Sequence, residues 1–240
     1  VEKSPEALAV YAACAQAGVV FLPLNTGYTG DEVAYFVENS GARLLICDGA
    51  REEALAPVAA KCGAQIATLN ADGSGSFSHS AADLSDEFAT VTREADDLAA
   101  FLYTSGTTGR SKGAMLTQRN LLSNAETLAE TWQFTDADTL LHALPIFHTH
   151  GLFVATNVTL VAGGALIFMP KFDLDRMIAE MPRATALMGV PTFYTRLLSD
   201  DRFTADLTRH MRLFVSGSAP LLAETHVAFE KRTGHKILER

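Results

Sequence analysis

Cysteine is scarce. The 240 residues hold only Cys14, Cys47 and Cys62, an odd number without Cys-x-x-Cys spacing. That usage excludes a disulfide framework, argues against a structural zinc site and fits a reducing cytoplasm. Positive charge is also short: 19 Lys and Arg stand against 28 Asp and Glu, for a net charge of -9 and a pI near 5.2. Nucleic-acid phosphates or an anionic membrane would repel such a protein at long range. No apolar run is long and unbroken enough to span a bilayer. The longest, residues 152–168, is interrupted by Thr156, Asn157, Thr159, Gly163 and Gly164, and reads as a buried helix followed by a strand. Solenoid repeats, heptads and a signal peptide are likewise missing. The chain opens at Val1 without an initiator Met and stops at Arg240, just after Ile237-Leu238, which reads as a piece of a longer protein.

What is present is ordinary globular material, 48% hydrophobic and 20% charged, enough to bury one large or two small cores. Ser4-Pro5-Glu6 supplies an N-cap, a first-turn proline and an acid, and Gly18 a stop, so a helix is expected between them. Val19 to Leu22 then reads as a short strand. Thr29-Gly30-Asp31-Glu32 is a capping box opening a second helix. Strands follow at 44–47, 66–69, 99–103, 140–143, 166–169, 186–188 and 213–215, mostly with helical periodicity between them. Such alternation predicts an α/β fold of mainly parallel sheets covered by helices. Residues 70–82, rich in Ser, Gly, Asp and Ala, read as a mobile connection, with two lobes joined near 70–95.

The strand Phe101-Leu102-Tyr103 runs into Thr104, Ser105, Gly106, Thr107, Thr108, Gly109, Arg110, Ser111, Lys112 and Gly113. Glycines let backbone N–H groups approach an anion, hydroxyls donate further hydrogen bonds and a lysine neutralises phosphate oxygens. The order is not that of a Walker A loop, because Lys112 precedes Gly113. This stretch resembles the signature of the adenylate-forming enzymes: acyl-CoA synthetases, luciferases and peptide-synthetase adenylation domains. Two further stretches are similar to family motifs, Ala15 to Asn25 and Val215-Ser216-Gly217-Ser218-Ala219-Pro220-Leu221. The resemblance covers nearly the whole chain. It implies the layered αβαβα large N-terminal domain of that family, incomplete over 1–240 and without the C-terminal lid. The family's Tyr-Gly-Met-Thr-Glu segment would begin after Arg240.

The resemblance also implies the chemistry. A carboxylate attacks the α-phosphate of ATP with Mg2+ present, giving an acyl-adenylate and pyrophosphate, and the thiol of coenzyme A then displaces AMP. Thr104, Ser105, Gly106, Thr107, Thr108, Gly109 and Lys112 would hold the β- and γ-phosphates, with Thr104 and Lys112 catalytic and Thr108 at the metal. Ser218, Ala219 and Pro220 would lie along the adenine, and Glu239 and Arg240 would complete the nucleotide site. On residues alone, Ser218 could equally cap a helix that begins with Pro220.

Residues 142–151 hold three histidines, His142, His148 and His150. A metal site lacks a third ligand at the usual spacing, and buried, hydrogen-bonded histidine is the ordinary reading. The resemblance puts His148 beside the reacting carboxylate. No aspartate follows to hold an amino group, which disfavours an amino-acid substrate. Pro191 opens a helix in which Arg196 interrupts an apolar run. Arg196 lies either on the solvent face or in the acyl pocket, where it would pair with a second carboxylate. The combined motifs resemble the malonyl-CoA synthetases within the family. That likeness implies a small dicarboxylate held by Arg196 and Ser218 near His148. Short-chain, medium-chain or aryl acyl-CoA synthetases, and a non-catalytic nucleotide-binding piece, are the competing expectations.

Overall fold

The computed structural model describes residues 1–104 and 111–240, which divide into two compact units, Val1–Asn120 and Leu121–Arg240. In the first unit α1 (Pro5–Ala17) begins as expected: the Ser4 hydroxyl accepts from Ala7 N, and Gly18 closes the helix at φ 65°. α2 (Gly30–Ser40) carries the full Thr29/Glu32 capping box and ends at Gly41. β1 (Leu44–Cys47) and β2 (Gln65–Thr68) pair in parallel around α3 (Glu52–Lys61). Val33, Val37, Leu45, Cys47, Leu55 and Ala59 form their core.

Two expectations change here. Val19 to Leu22 is not a strand: only Phe21 bridges the sheet, bonded on both sides to Ala99 and Phe101, and Val19 is 53% exposed. Pro23, which lacks an N–H, limits the ladder to that one residue. Residues 70–82 are a bonded turn rather than a loose connection. Asn70 accepts from Gly49 N, Ser76 exchanges hydrogen bonds with Thr68, and α4 (Ser76–Ala81) follows. Side chains of Asn, Asp and Ser build such turns by bonding nearby backbone. The whole 70–95 segment lies inside the first unit, and the division falls instead within α5 (Gln118–Thr131).

β3 (Leu98–Thr104) and β4 (Lys112–Thr117) form an antiparallel pair in which Thr104 stands opposite Lys112. Lys112 therefore begins a strand rather than sitting in a loop. This strand escapes a reading in which glycine and lysine imply irregular backbone.

The second unit is one five-stranded parallel sheet: β5 (Thr139–His142), β6 (Ala165–Phe168), β7 (Ala186–Gly189), β8 (Leu213–Ser216) and β9 (Ile237–Glu239), in the order β6-β5-β7-β8-β9. Its connections carry a π-helix at His150–Thr156, α6 (Asn157–Val161), α7 (Leu174–Glu180), α8 (Pro191–Leu198), α9 (Ala205–Thr208) and α10 (Ala223–Thr233). Phe229 of α10 stacks on Phe203, Phe214 and Tyr194, and the buried Tyr194 hydroxyl donates to Val215 O at 2.6 Å. No helix among the described residues is long and apolar enough to cross a membrane.

The amino ends of these strands meet at Asp138, which is 3% exposed. Its carboxylate accepts from Thr135 N, Thr185 Oγ1 and the Arg212 guanidinium. Arg212 Nη1 reaches on to Trp132 O at 3.0 Å. Burial pushes the Asp138 carboxyl up, but the hydrogen bonds from Arg212 and Thr185 outweigh it and hold the group at about 2. Breaking a buried pair leaves one charge uncompensated, so Asp138→Ala is expected to cost about 3–5 kcal/mol in denaturant unfolding. Because the folded value is depressed, this stabilisation is complete above the unfolded value of about 3.9 and is lost as pH falls toward 2. An acid titration of wild type and variant checks both, the variant losing that part of the slope.

Candidate functional site

In an open parallel sheet, the loops after two neighbouring strands diverge where the strand order reverses, leaving a crevice beyond their carboxyl ends. Here β6 lies on one side of β5 and the remaining strands on the other, so the reversal falls between β5 and β7. A cavity of about 360 Å³ lies there. Leu144, Pro145, His148, Thr149, His150 and Gly151 line it from the segment after β5, with Val190 after β7 and Ser218 after β8.

The segment after β5 is shaped by tight backbone contact. A Cβ on Gly151 would stand 2.0 Å from Pro145 O, so no other residue fits without moving the turn. The buried His142 ring bonds Gly151 O at 2.9 Å and Thr156 Oγ1 at 3.1 Å, and Thr156 Oγ1 also donates to Gly151 O. His142 thus braces the crevice from behind. The wide π-helical turn that follows, a form often found at functional sites, begins at His150.

His148 and His150 differ sharply. His148 is exposed, packs against Phe147 at 4.5 Å between ring centroids, and is lowered in pKa by partial burial. His150 is 4% exposed; burial first, and the Arg240 charge second, lower it to about 4. It is therefore neutral at physiological pH. Its Nδ1 lies 3.3 Å from Ser218 Oγ, and its Nε2 is buried with no hydrogen-bond partner. Among the described residues, no group of three or more His, Cys, Asp or Glu is arranged to hold a metal.

Ser218 does not cap a helix. It adopts φ 70°, in the left-handed region that non-glycine residues avoid, and α10 starts only at Ala223. The strain follows from crowding: a Cβ on Gly217 would meet Arg240 Cγ and His150 Cε1 at 3.1 Å, and Gly217 N is tied to Gly189 O. Ala219 and Pro220 are exposed beside Ser218. Glu239, paired with Ser216 in the sheet, accepts from Leu221 N and contacts the His226 ring, while Arg240 N donates to Ser216 O.

Arg196 is exposed on α8 and does not line the cavity; its guanidinium lies over the Phe172 ring, 4.3 Å from the centroid. Phe172 in turn packs on Phe193, which fills the space beside Gly189. In the first unit, Thr104 and Lys112 are exposed and face each other where β3 ends and β4 begins. Ser105, Gly106, Thr107, Thr108 and Gly109 lie outside the described residues. The same end of the pair is braced by residues that sequence reasoning overlooked. Tyr35 donates to Ser111 O at 2.9 Å, Phe36 stacks on Tyr103 at 4.6 Å, and Gly113 leaves room for the Tyr103 ring. His150 was equally missed as a site residue. Its place in His-Thr-His-Gly was visible, but its burial and its approach to Ser218 depend on a turn with no sequence marker.

The family model described as AMP-binding enzyme matches residues 1–239. MatB from Rhodopseudomonas palustris is 58% identical across the whole of this chain, with a TM-score of 0.98 for its apo crystal structure and 0.97 for its ATP-bound one. This chain covers 48% of it. A malonyl-CoA ligase ternary product complex with methylmalonyl-CoA and AMP bound is 30% identical at a TM-score of 0.81, covering all of this chain and 50% of that one. The malonate–CoA ligase of Arabidopsis thaliana is 32% identical over 93% of this chain and 40% of the relative. The chain thus spans about half or less of the length of the proteins it resembles.

The geometry around Ser218 makes a specific expectation for stability. Glycine adopts φ 70° without the steric penalty borne by other residues, so Ser218→Gly should be more stable than Ser218→Ala by about 1 kcal/mol. Paired denaturation curves measure the difference. Gly151→Ala, forced against Pro145 O, should lose about 1–3 kcal/mol in the same assay.

Proposed function

Because the chain belongs to the AMP-binding enzyme family, we propose that the whole protein is an ATP-dependent acid–thiol ligase that makes malonyl-CoA or methylmalonyl-CoA. The observation that carries this reading is the 58% identity to MatB along the full chain. The ATP-bound form of MatB and the methylmalonyl-CoA product of the second relative support the nucleotide and the acid class. Malonate and methylmalonate differ by one methyl, worth only about 1–3 kcal/mol in a pocket.

In the proposed reaction a carboxylate oxygen bonds to the α-phosphorus of ATP and pyrophosphate leaves. The coenzyme A thiol then takes the acyl group, losing its proton, and AMP leaves. Little covalent work falls to the protein; charge and positioning carry such a reaction. Thr104 and Lys112, with Ser105, Gly106, Thr107, Thr108 and Gly109 between them, would bind the β- and γ-phosphates. Thr104 and Lys112 pair across two antiparallel strands, which holds these two residues at a fixed separation. Magnesium, a hard cation that keeps most of its ligands as water and phosphate oxygen, would meet the hydroxyl of Thr108. Ser218, Ala219 and Pro220, with Glu239 and Arg240 at the adjoining strand end, would flank the nucleoside.

The acid would occupy the cavity after β5, with His148 at its exposed rim. The Arg196 guanidinium lies over the Phe172 ring and is exposed, which keeps its charge available to a carboxylate. Arg196 lies outside the cavity lining, so its pairing with the second carboxylate of a short diacid rests on the likeness to the malonate ligases. Aryl or medium-chain acids are the weaker reading for the same reason. We also place the protein in the cytoplasm, on its three free cysteines.

Pyrophosphate exchange by the full-length protein tests the assignment: malonate or methylmalonate should exceed acetate and octanoate, and the reverse order would sink it. Arg196→Ala should weaken dicarboxylate use by about 1.5–3 kcal/mol in kcat/KM, the scale of a lost charge-assisted bond. Acetate use should change little.

A further inference from the structure

His150 is placed for a task that the reaction scheme leaves unassigned. Its ring is 96% buried at the start of the π-helix, yet one face of it borders the cavity. One nitrogen contacts Ser218 Oγ and the other has no partner. Gly217 has no side chain, and a Cβ there would stand 3.1 Å from the His150 ring, so the imidazole packs closely on this turn. Burial and the Arg240 charge keep the ring from taking a second proton until about pH 4, so at neutral pH one ring proton must sit on either Nδ1 or Nε2.

The two placements have opposite consequences. With the proton on Nε2, the structure would bury an N–H without an acceptor, which folded proteins rarely tolerate. Ser218 would then have to donate to Nδ1, showing the cavity only lone pairs that repel a carboxylate. With the proton on Nδ1, the ring donates to Ser218 Oγ. What is left unpaired at Nε2 is a lone pair, the cheaper kind of orphan. The serine hydrogen is then free to point into the cavity. Ser218 needs such an anchor, because φ 70° persists only where neighbours hold it.

We propose that His150 is a positioning residue: by donating from Nδ1 to Ser218 Oγ, it holds the left-handed turn and directs the serine hydroxyl as a donor toward the ligand carboxylate. This rests on the reading of the cavity as the acid site. His150 touches neither nucleotide nor acid in this scheme; its effect passes through Ser218.

Asparagine and glutamine separate the two ring nitrogens, since Asn places an N–H near the Nδ1 position and Gln near Nε2. In the full-length protein, His150→Phe and Ser218→Ala should each raise KM for malonate by about tenfold, the scale of one lost hydrogen bond, with kcat little changed. The double variant should be no worse than Ser218→Ala alone. His150→Asn should recover most of the loss and His150→Gln should not. Nitrogen NMR of the labelled ring should report a protonated Nδ1, a readout that needs neither activity nor a folded Phe variant. Rescue by Gln rather than Asn, multiplicative losses, or a protonated Nε2 would each overturn the proposal. If another acid proves to be the preferred substrate, the assigned reaction falls, while the tautomer and the Asn/Gln comparison with that acid still decide the role of His150.

Discussion

The second unit depends on one topological constraint. Parallel strands must be joined by crossovers, and crossovers in one sheet are right-handed. Once β6 is laid on one side of β5 and β7 on the other, the connections must leave the sheet in opposite directions. No side chain is needed to open the crevice beyond β5 and β7; it follows from the strand order. Side chains decide only what the crevice contains. The glycines are placed accordingly: Gly151 lies against Pro145 O, closer than any Cβ allows, and Gly217 packs tightly against His150 and Arg240.

The two ends of this sheet are built on different terms. At the amino ends, Asp138 satisfies its lone pairs with Arg212, Thr185 and Thr135, so a buried charge is compensated and three strands are fastened together. At the carboxyl ends the accounts are left open. His150 Nε2 and Ser216 Oγ are buried without partners, and Ser218 is held in a left-handed conformation. Unsatisfied groups and strained backbone lower stability, and they gather at functional sites.

Features governed by neighbours in sequence were legible. Ser4, Thr29 and Pro191 announced their helices because capping and first-turn proline are local physics. Most parallel strands were visible as short apolar runs, since both their faces are covered. β4 and β9 were not, because one begins with Lys-Gly and the other is three residues long. The turn at 70–82 was misjudged for a related reason: composition reports polarity, whereas the bonds from Asn70 and Ser76 depend on where the chain folds back.

The site shows the same limit more sharply. Motif similarity pointed to His148 and Ser218, and both border the cavity. It could not separate His148 from His150, two residues away, because their difference is one of burial: the first is exposed and the second enclosed. His150 is the first residue of the π-helical turn, and His148 lies just before it. A π-turn has no residue signature of its own, since it arises when tertiary packing outweighs the regular hydrogen-bond spacing. Nor could spacing choose a face for Arg196, because α8 offers it both solvent and the Phe172 ring. A guanidinium resting over an aromatic ring is held in position while its charge stays available, so exposure and readiness to bind an anion are compatible in one residue.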